Sequence, residues 1–152
     1  MSRARRLTPH LLIAIDGPAA SGKSTTARLV ADALGIRHAD SGALYRAATL
    51  ARLRAGGPPP WTEESVLDAI RGVTVTPSGT GFEVQVADTP ASVTLHGADV
   101  TAAVSGVAKM PRVRAWVNAR MHQCAQEGPI VVDGRDMGWA VFPDAPLKVF
   151  LV

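Results

Sequence analysis

The sequence predicts an α/β fold built around a parallel β-sheet. Apolar runs at residues 11–15, 130–132 and 147–152 do not alternate with polar residues, which is typical of parallel strands covered on both faces. The first run leads into a glycine-rich turn and then a helix from about Lys23, so strand and helix alternate as in a doubly wound core. The apolar residues of this helix recur at i, i+3, i+4 and i+7 and are Ala27, Val30, Ala31 and Leu34.

The following elements are predicted from end signals and periodicity. Gly35 suits the end of the first helix, since glycine readily adopts the left-handed conformation found there. Thr62 can cap a short helix, and Pro111 suits the first turn of a long one. The predicted elements, in chain order, are a strand at 36–39 and helices at 41–54, 62–71 and 111–126.

A β-rich stretch interrupts this alternation. Residues 73–76, 82–86 and 92–95 are rich in β-forming residues and separated by turn residues, which predicts a small antiparallel meander. We expect this meander to be part of an insert at 60–105 within a core at 11–152, preceded by an arm at 1–10.

The charge balance argues against a nucleic-acid-binding face. Lys and Arg number 16 against 13 acidic residues, but three of the arginines are Arg3, Arg5 and Arg6, and without them the count is 13 against 13. The excess is a short N-terminal arm, which favours a solvated tail, with RNA binding through the arm as an alternative.

The sequence favours a cytoplasmic protein with no membrane partner. Cys124 is the single cysteine, so no internal disulfide can form. The apolar run at 11–15 is shorter than the roughly 7–15 residues of a secretory signal, and nothing approaches the about 20 residues of a membrane span. We expect a monomer.

The turn after the first strand fits the phosphate-binding pattern G-x-x-x-x-G-K-[ST]. A loop of this length turns backbone N–H groups towards phosphate oxygens, and the following helix points its positive end at the same anion. Lys23 would reach the β- and γ-phosphates, and the Ser24 hydroxyl would hold Mg²⁺. The predicted ATP-binding residues are Gly17, Pro18, Ala19, Ala20, Ser21, Gly22, Lys23, Ser24 and Thr25.

This loop predicts a nucleoside triphosphate ligand but not the reaction. An N-K-x-D guanine-reading motif is absent from the sequence, and the chain is short for a motor ATPase, which leaves a small kinase. Asp16, directly before the loop, could contact metal-bound water or fix the turn.

Further motifs, in this order after such a loop, resemble those of the bacterial cytidylate kinase family. Residues 15–18 read IDGP, 40–46 DSGALYR, 111–114 PRVR, 133–138 DGRDMG and 141–145 VFPDA. The resemblance implies a three-layer α/β P-loop core with a small antiparallel monophosphate-binding insert. It also implies transfer of the γ-phosphoryl group of ATP to CMP or dCMP.

The resemblance also implies residue roles. Ser41, Arg46 and Arg135 would hold the acceptor phosphate, as arginine forks bind phosphate bidentately. Lys23, Arg46 and Arg135 would be catalytic. Asp133 would assist Mg²⁺ or cap its turn. The residues expected to read the cytosine edge are Ser105, Arg114 and Asp136, since a carboxylate accepts from the cytosine amino group.

The sequence departs from the family pattern in several places. The family continues past the strand at 147–152 with an arginine-bearing lid, so the resemblance implies a C-terminally truncated chain, with a non-catalytic nucleotide-binding fragment as the alternative. The stretch at 99–105 is shorter than usual. Met121 and His122 replace a Gln-Arg pair, and Trp139 replaces a small polar residue.

Several other side chains are interpreted as structural. Tyr45 is expected to pack, and Cys124 is expected in the core. The other residues interpreted in this way are His38, His96, His122, Trp61, Trp116 and Trp139.

Overall fold

Parallel strands covered by helices on both faces form the core of the computed structural model, which describes residues 11–91 and 94–152. The elements are β1 (Leu12–Asp16), α1 (Lys23–Leu34), β2 (Arg37–Asp40), α2 (Ser41–Arg54), α3 (Glu63–Ala69), β3 (Val73–Ser78), β4 (Gly81–Val86), β5 (Thr89–Pro90), α4 (Ala98–Ala108), α5 (Pro111–Ala125), β6 (Ile130–Gly134) and β7 (Leu147–Phe150). A 3₁₀ turn at Ile70–Gly72 and a π-helical turn at Met137–Val141 complete the described structure.

The central sheet has the order β2-β6-β1-β7, and all its strand pairs are parallel. The positions of the predicted strands are confirmed within one or two residues. The expectation that the last strand is covered on both faces is wrong, because β7 lies at the edge of the sheet and Leu147 and Phe150 are exposed. At the carboxyl edge, Asp40 pairs in register with Asp133, and Gly134 pairs with Asp16. Residues that follow these three strands therefore lie next to one another, although they are far apart in the sequence.

Alternation along the strands produces the three layers. Ile13 and Ile15 of β1 pack with Ala27 and Ala31 of α1 on one face. The opposite face packs against α2 and α5, and its buried residues include Ala14, Ile130, Val132, Leu44, Val117, Met121 and Cys124. The predicted α/β fold and the core position of Cys124 are confirmed.

The predicted helix ends are mostly correct. Gly35 ends α1 with φ 65°, and the Thr62 side chain accepts a hydrogen bond from Ser65 N at the start of α3. The helix predicted at 62–71 is wrong at its C-terminal end, because α3 stops at Ala69 and continues as the 3₁₀ turn.

The antiparallel sheet has the order β3-β4-β5, which confirms the meander but not its third strand. Ala87 and Asp88 have φ values of 52° and 61°, so the chain reverses directly after β4 in a tight turn and pairs at Thr89–Pro90. The strand expected at 92–95 is wrong at Thr94 and Leu95, which lie in a turn, whereas residues 92 and 93 lie outside the described residues.

Helix α4 is not predicted from the sequence, because its Val, Thr and Gly residues have low helix propensity. It packs on α2 and contributes Val100 and Val107 to a core shared with α3, α5 and the meander. The arm at 1–10 lies outside the described residues, and the insert boundaries at 60–105 remain a prediction. Among the described helices, none is long and apolar enough to span a membrane.

Candidate nucleotide site

The glycine-rich loop connects β1 to α1 at the carboxyl edge of the sheet. Gly22, at the N-terminus of α1, has φ 83°, and no side chain caps the helix, so its first N–H groups suit an anion. Gly17 is needed for close packing, because a Cβ there would lie 2.7 Å from Ser21 Oγ and 2.9 Å from Leu151 O. Lys23 Nζ donates to Pro18 O at 3.4 Å, so its ammonium group lies over the loop.

A buried carboxylate lies behind the loop. Ser24 Oγ donates to Asp133 Oδ2 at 2.8 Å, and His38 Nε2 donates to Asp133 Oδ1. Asp133 is fully buried at the end of β6. Burial, and secondly the negative charge of Asp133, raises the pKa of the neighbouring Asp40 carboxyl above its usual value.

These oxygens fit a magnesium ion. The Ser24 hydroxyl and the Asp133 carboxylate are hard oxygen ligands, and Mg²⁺ in kinases is held by one or two such groups together with substrate phosphates. Within residues 11–91 and 94–152, no cluster of three or more acidic, His or Cys side chains could form a metal cage of its own. Ser21 Oγ is buried without a hydrogen-bond partner among the described residues, so the loop also retains an unused polar atom.

Asp16 holds the next part of the site in position. Its Oδ1 accepts a hydrogen bond from Met137 N at 2.6 Å, and its Oδ2 accepts one from Gly138 N at 2.8 Å. Glycine suits position 138, because a Cβ there would lie in tight contact, 3.2 Å from Asp16 Oδ2. Of the two interpretations of Asp16, the structure supports the one in which it fixes a turn, and the turn it fixes is the π-helical one.

The N-terminus of α2 lies beside the end of β6. Asp40 caps α2 by accepting from Gly42 N at 2.8 Å, and Ser41, the first helical residue, is buried. A Cβ at Gly134 would lie only 2.0 Å from Ser41 Oγ, so glycine is needed for this approach. The predicted residues Ser41 and Arg135 are therefore brought to the same edge.

The two predicted phosphate-binding arginines have different surroundings. Arg46 Nη1 donates to Leu95 O at 3.3 Å and to Thr101 Oγ1 at 3.1 Å, which ties α2 to the start of α4. Arg135 is exposed and forms no hydrogen bond or salt bridge with any described residue. Its guanidinium group is therefore available to a ligand.

The three residues predicted to read the base are only partly brought together. Arg114 Nη2 lies 3.9 Å from Asp136 Oδ2, and Arg114 Nη1 donates to Ala108 O at 3.2 Å. Ser105 is exposed on α4, three residues before Ala108, and among the described residues it has no hydrogen bond to Arg114 or Asp136. The structure thus pairs Arg114 with Asp136 and leaves Ser105 outside this pair.

Tyr45 and Trp139 are both interpreted as packing residues from the sequence, and of the two only Trp139 has a hydrogen bond to a predicted site residue. Tyr45 packs against the core as predicted, and burial raises the pKa of its phenol, with opposing smaller effects of the Arg114 and Asp136 charges. Trp139 donates from Nε1 to Asp136 Oδ1 at 3.0 Å. The sequence features that draw attention to these two residues are the DSGALYR motif, which contains Tyr45, and the departure from the family pattern at Trp139.

The interpretation of the remaining aromatic residues is corrected in one place. Trp61 and Trp116 pack against the core as predicted, but Trp139 is 72% exposed and does not. His122 is structural as predicted, since its Nε2 contacts Val141 O at 2.7 Å. His38 is not merely structural, because its contact with Asp133 orients a site carboxylate, and no sequence signal shows that β2 and β6 are neighbours.

Comparisons with known proteins decide the family. A protein-family profile described as cytidylate kinase matches residues 13–152. The chain belongs to the cytidylate kinase family. A cytidylate kinase of Thermus thermophilus is 45% identical over 142 residues, which cover 92% of this chain and 67% of the relative. One of Streptococcus thermophilus is 41% identical over 146 residues, covering 92% and 63%.

A third relative is matched over a similar share of its length. The cytidylate kinase of Mycolicibacterium paratuberculosis is 42% identical over 149 residues, which cover 95% of this chain and 64% of that protein. The chain therefore spans about two thirds of the length of these cytidylate kinases.

Proposed function

We propose that this member of the cytidylate kinase family transfers the γ-phosphoryl group of ATP to CMP or dCMP, giving CDP or dCDP. The observation that carries the proposal is the pairing of Arg114 with Asp136 at the sheet edge that also bears the phosphate-binding loop. An arginine and a carboxylate at this position suit a pyrimidine with an amino group. The loop suits the triphosphate of the donor.

On the donor side, the loop N–H groups and Lys23 bind the phosphates of ATP. Ser24 and Asp133 would hold Mg²⁺, which would supply positive charge to neutralise the phosphates. His38 keeps the Asp133 carboxylate oriented towards Ser24, because each of its oxygens has a fixed donor. These contacts would align the γ-phosphorus for attack.

On the acceptor side, Ser41, Arg46 and Arg135 bind the monophosphate. The N-terminus of α2 adds positive potential beside Ser41. Arg46 is already oriented by Leu95 O and Thr101 Oγ1 through one of its nitrogens, so its other N–H groups can face the phosphate. Asp136 accepts from the amino group of cytosine, with Arg114 as its partner.

The transfer needs little covalent chemistry from the protein. An ionised oxygen of the acceptor phosphate attacks the γ-phosphorus, and the bond to the oxygen that bridges the β- and γ-phosphorus atoms breaks, leaving ADP. Because the attacking oxygen carries no proton, no general base is required. Lys23, Arg46 and Arg135 stabilise the negative charge of the transferring group.

The test is direct detection of CDP from CMP and MgATP. Lys23→Ala serves as the blank, and we expect it to abolish transfer, since it removes the cation that lies over the phosphate-binding loop. Arg28→Ala is the matched control, because Arg28 is an exposed cation on the same helix outside the loop. Its rate should equal that of the unaltered protein.

UMP provides the comparison for the base. CDP formation above the blank, with UMP a poorer substrate, supports the proposal. Equal rates for Lys23→Ala and Arg28→Ala contradict the role of the loop. Retained ATP binding without CDP identifies a nucleotide-binding protein that does not catalyse transfer.

A further inference from the structure

The π-helical turn carries an exposed tryptophan whose position the proposed reaction does not explain. Trp139 is 72% exposed, although burial of an aromatic side chain of this size is favourable. Its indole nevertheless has a specific contact, because Nε1 donates to Asp136 Oδ1 at 3.0 Å. An exposed indole with a fixed hydrogen bond suggests a role in the site rather than in folding.

The carboxylate that it contacts is otherwise weakly held. Asp136 is 42% exposed at its side chain, and its other neighbour, Arg114, lies 3.9 Å away, beyond direct hydrogen-bond distance. Its backbone has φ 61°, in the left-handed region. Without Trp139, the carboxylate would have no hydrogen-bond donor within reach among the described side chains.

The turn that carries both residues is held by two hydrogen bonds to a buried carboxylate. Asp16 accepts hydrogen bonds from Met137 N and Gly138 N, the two residues between Asp136 and Trp139. The indole is therefore presented from a fixed backbone, and its bond to Oδ1 leaves Oδ2 facing Arg114. A carboxylate with one oxygen fixed offers the other to a ligand in one orientation.

We propose that Trp139 is a specificity-determining positioning residue: it fixes Asp136 so that Oδ2 receives the amino group of cytosine. This inference rests on the proposed function. A fixed carboxylate rejects uracil, because the uracil oxygen at that position would face a negative charge. A carboxylate that can rotate away loses this repulsion, so uracil is tolerated and cytosine loses a preoriented acceptor.

The test compares CMP and UMP binding to the full chain by calorimetry. Trp139→Phe keeps an aromatic ring and removes the N–H donor, and we expect the CMP-over-UMP affinity ratio to fall about three- to tenfold. Trp61→Phe is the matched control, since the Trp61 N–H donates to Gly57 O and Trp61 packs elsewhere. It should leave the ratio unchanged.

A second variant separates positioning from a general loss of structure. Asp136→Ala should itself lower the ratio, and adding Trp139→Phe to it should change the ratio no further, because the indole then has nothing to orient. An unchanged ratio in Trp139→Phe, including an equal loss of both affinities, overturns the inference while the proposed function stands. If the unaltered protein binds CMP and UMP equally, the cytidine specificity fails and the inference with it.

Discussion

The donor and acceptor sides of the site are built in different ways. On the donor side, the contacts within the loop join residues close in sequence, as between Lys23 and Pro18 or between Ser21 and Pro18. On the acceptor side, Arg46 contacts Thr101, which lies 55 residues away. The donor loop is therefore largely determined by local sequence, whereas the acceptor site exists only when the whole core is folded.

Two aspartates connect these sides. Asp16 ends β1 before the loop and holds the turn 121 residues later, and Asp133, the residue before the end of β6, accepts a hydrogen bond from Ser24 of the loop. Both lie at the carboxyl edge of neighbouring parallel strands. Perturbing the acceptor side should accordingly leave the loop able to bind ATP, whereas perturbing a connecting aspartate should affect stability as well.

The largest effect on the acceptor side is expected for Arg135→Ala. Arg135 is exposed with no partner among the described residues, so its loss should not alter folding. One arginine that stabilises a transferring phosphoryl group contributes about 10³-fold or more in rate, and we expect a loss of this size in CDP formation. ATP affinity, measured by calorimetry, should change by less than about twofold. A change of this size corresponds to about 0.4 kcal/mol and would indicate that the phosphate-binding loop is undisturbed.

Arg120→Ala is the control for this prediction. Arg120 is a half-buried arginine of α5 that contacts Gln123 and the ring of Trp116. It should retain the unaltered rate. A rate for Arg135→Ala close to that of Arg120→Ala would remove Arg135 from the transfer step.

A smaller effect, on stability, is expected for Asp16→Ala. This change leaves Met137 N and Gly138 N without their acceptor in a buried site, which should lower the free energy of unfolding by about 3 kcal/mol. CMP affinity should fall more than ATP affinity, because the turn carries Asp136. Urea denaturation measures the first effect, and calorimetry measures the second.

Asp32→Ala provides the comparison, since Asp32 is exposed on α1. Its unfolding free energy should match that of the unaltered protein. If Asp16→Ala unfolds at the same urea concentration as Asp32→Ala, the two sides are not connected through Asp16.

The difference between the locally determined donor loop and the acceptor site also explains what could be predicted from the sequence. The loop and its flanking strand and helix follow from a contiguous motif and from periodicity, and the structure has them where they were expected. The position of Arg114 beside Asp136 depends on how α5 lies against β6, which no local pattern encodes. The resemblance to a family, rather than any physical pattern, pointed to that pair.

The failures have physical causes. The third strand of the meander was misplaced because a tight turn at Ala87 and Asp88 requires positive φ in residues other than glycine, which sequence rules do not favour. Trp139 was expected to pack because large aromatic residues usually do, yet it is exposed beside a carboxylate. His38 was interpreted as structural because its contact with Asp133 depends on strand order.

The smallest expected effect concerns Cys124, which lies on α5, the same helix as Arg114. Burial raises the pKa of Cys124 to about 11, so at pH 8 only about one thiol in a thousand is ionised. Iodoacetamide should therefore modify Cys124 far more slowly in the native protein than in denaturant, as followed by mass spectrometry. As the pH rises, the Cys124 thiol ionises in the unfolded protein before it ionises in the native protein. The stability associated with its raised pKa is therefore complete below pH 9 and is lost as the pH rises towards 11.

The Cys124→Ala variant is the control, because it should not show this loss of stability at alkaline pH. Between pH 9 and 11, the unaltered protein should lose stability more steeply than the variant, because the variant has no thiol to ionise. Equal modification rates in native and denatured protein would mean that α5 is not held by its core contacts with Val132 and Ile130. Arg114 would then lack the fixed helix on which the acceptor side depends. The acceptor side would in that case differ from the locally built donor loop in rigidity, as well as in how its residues are brought together.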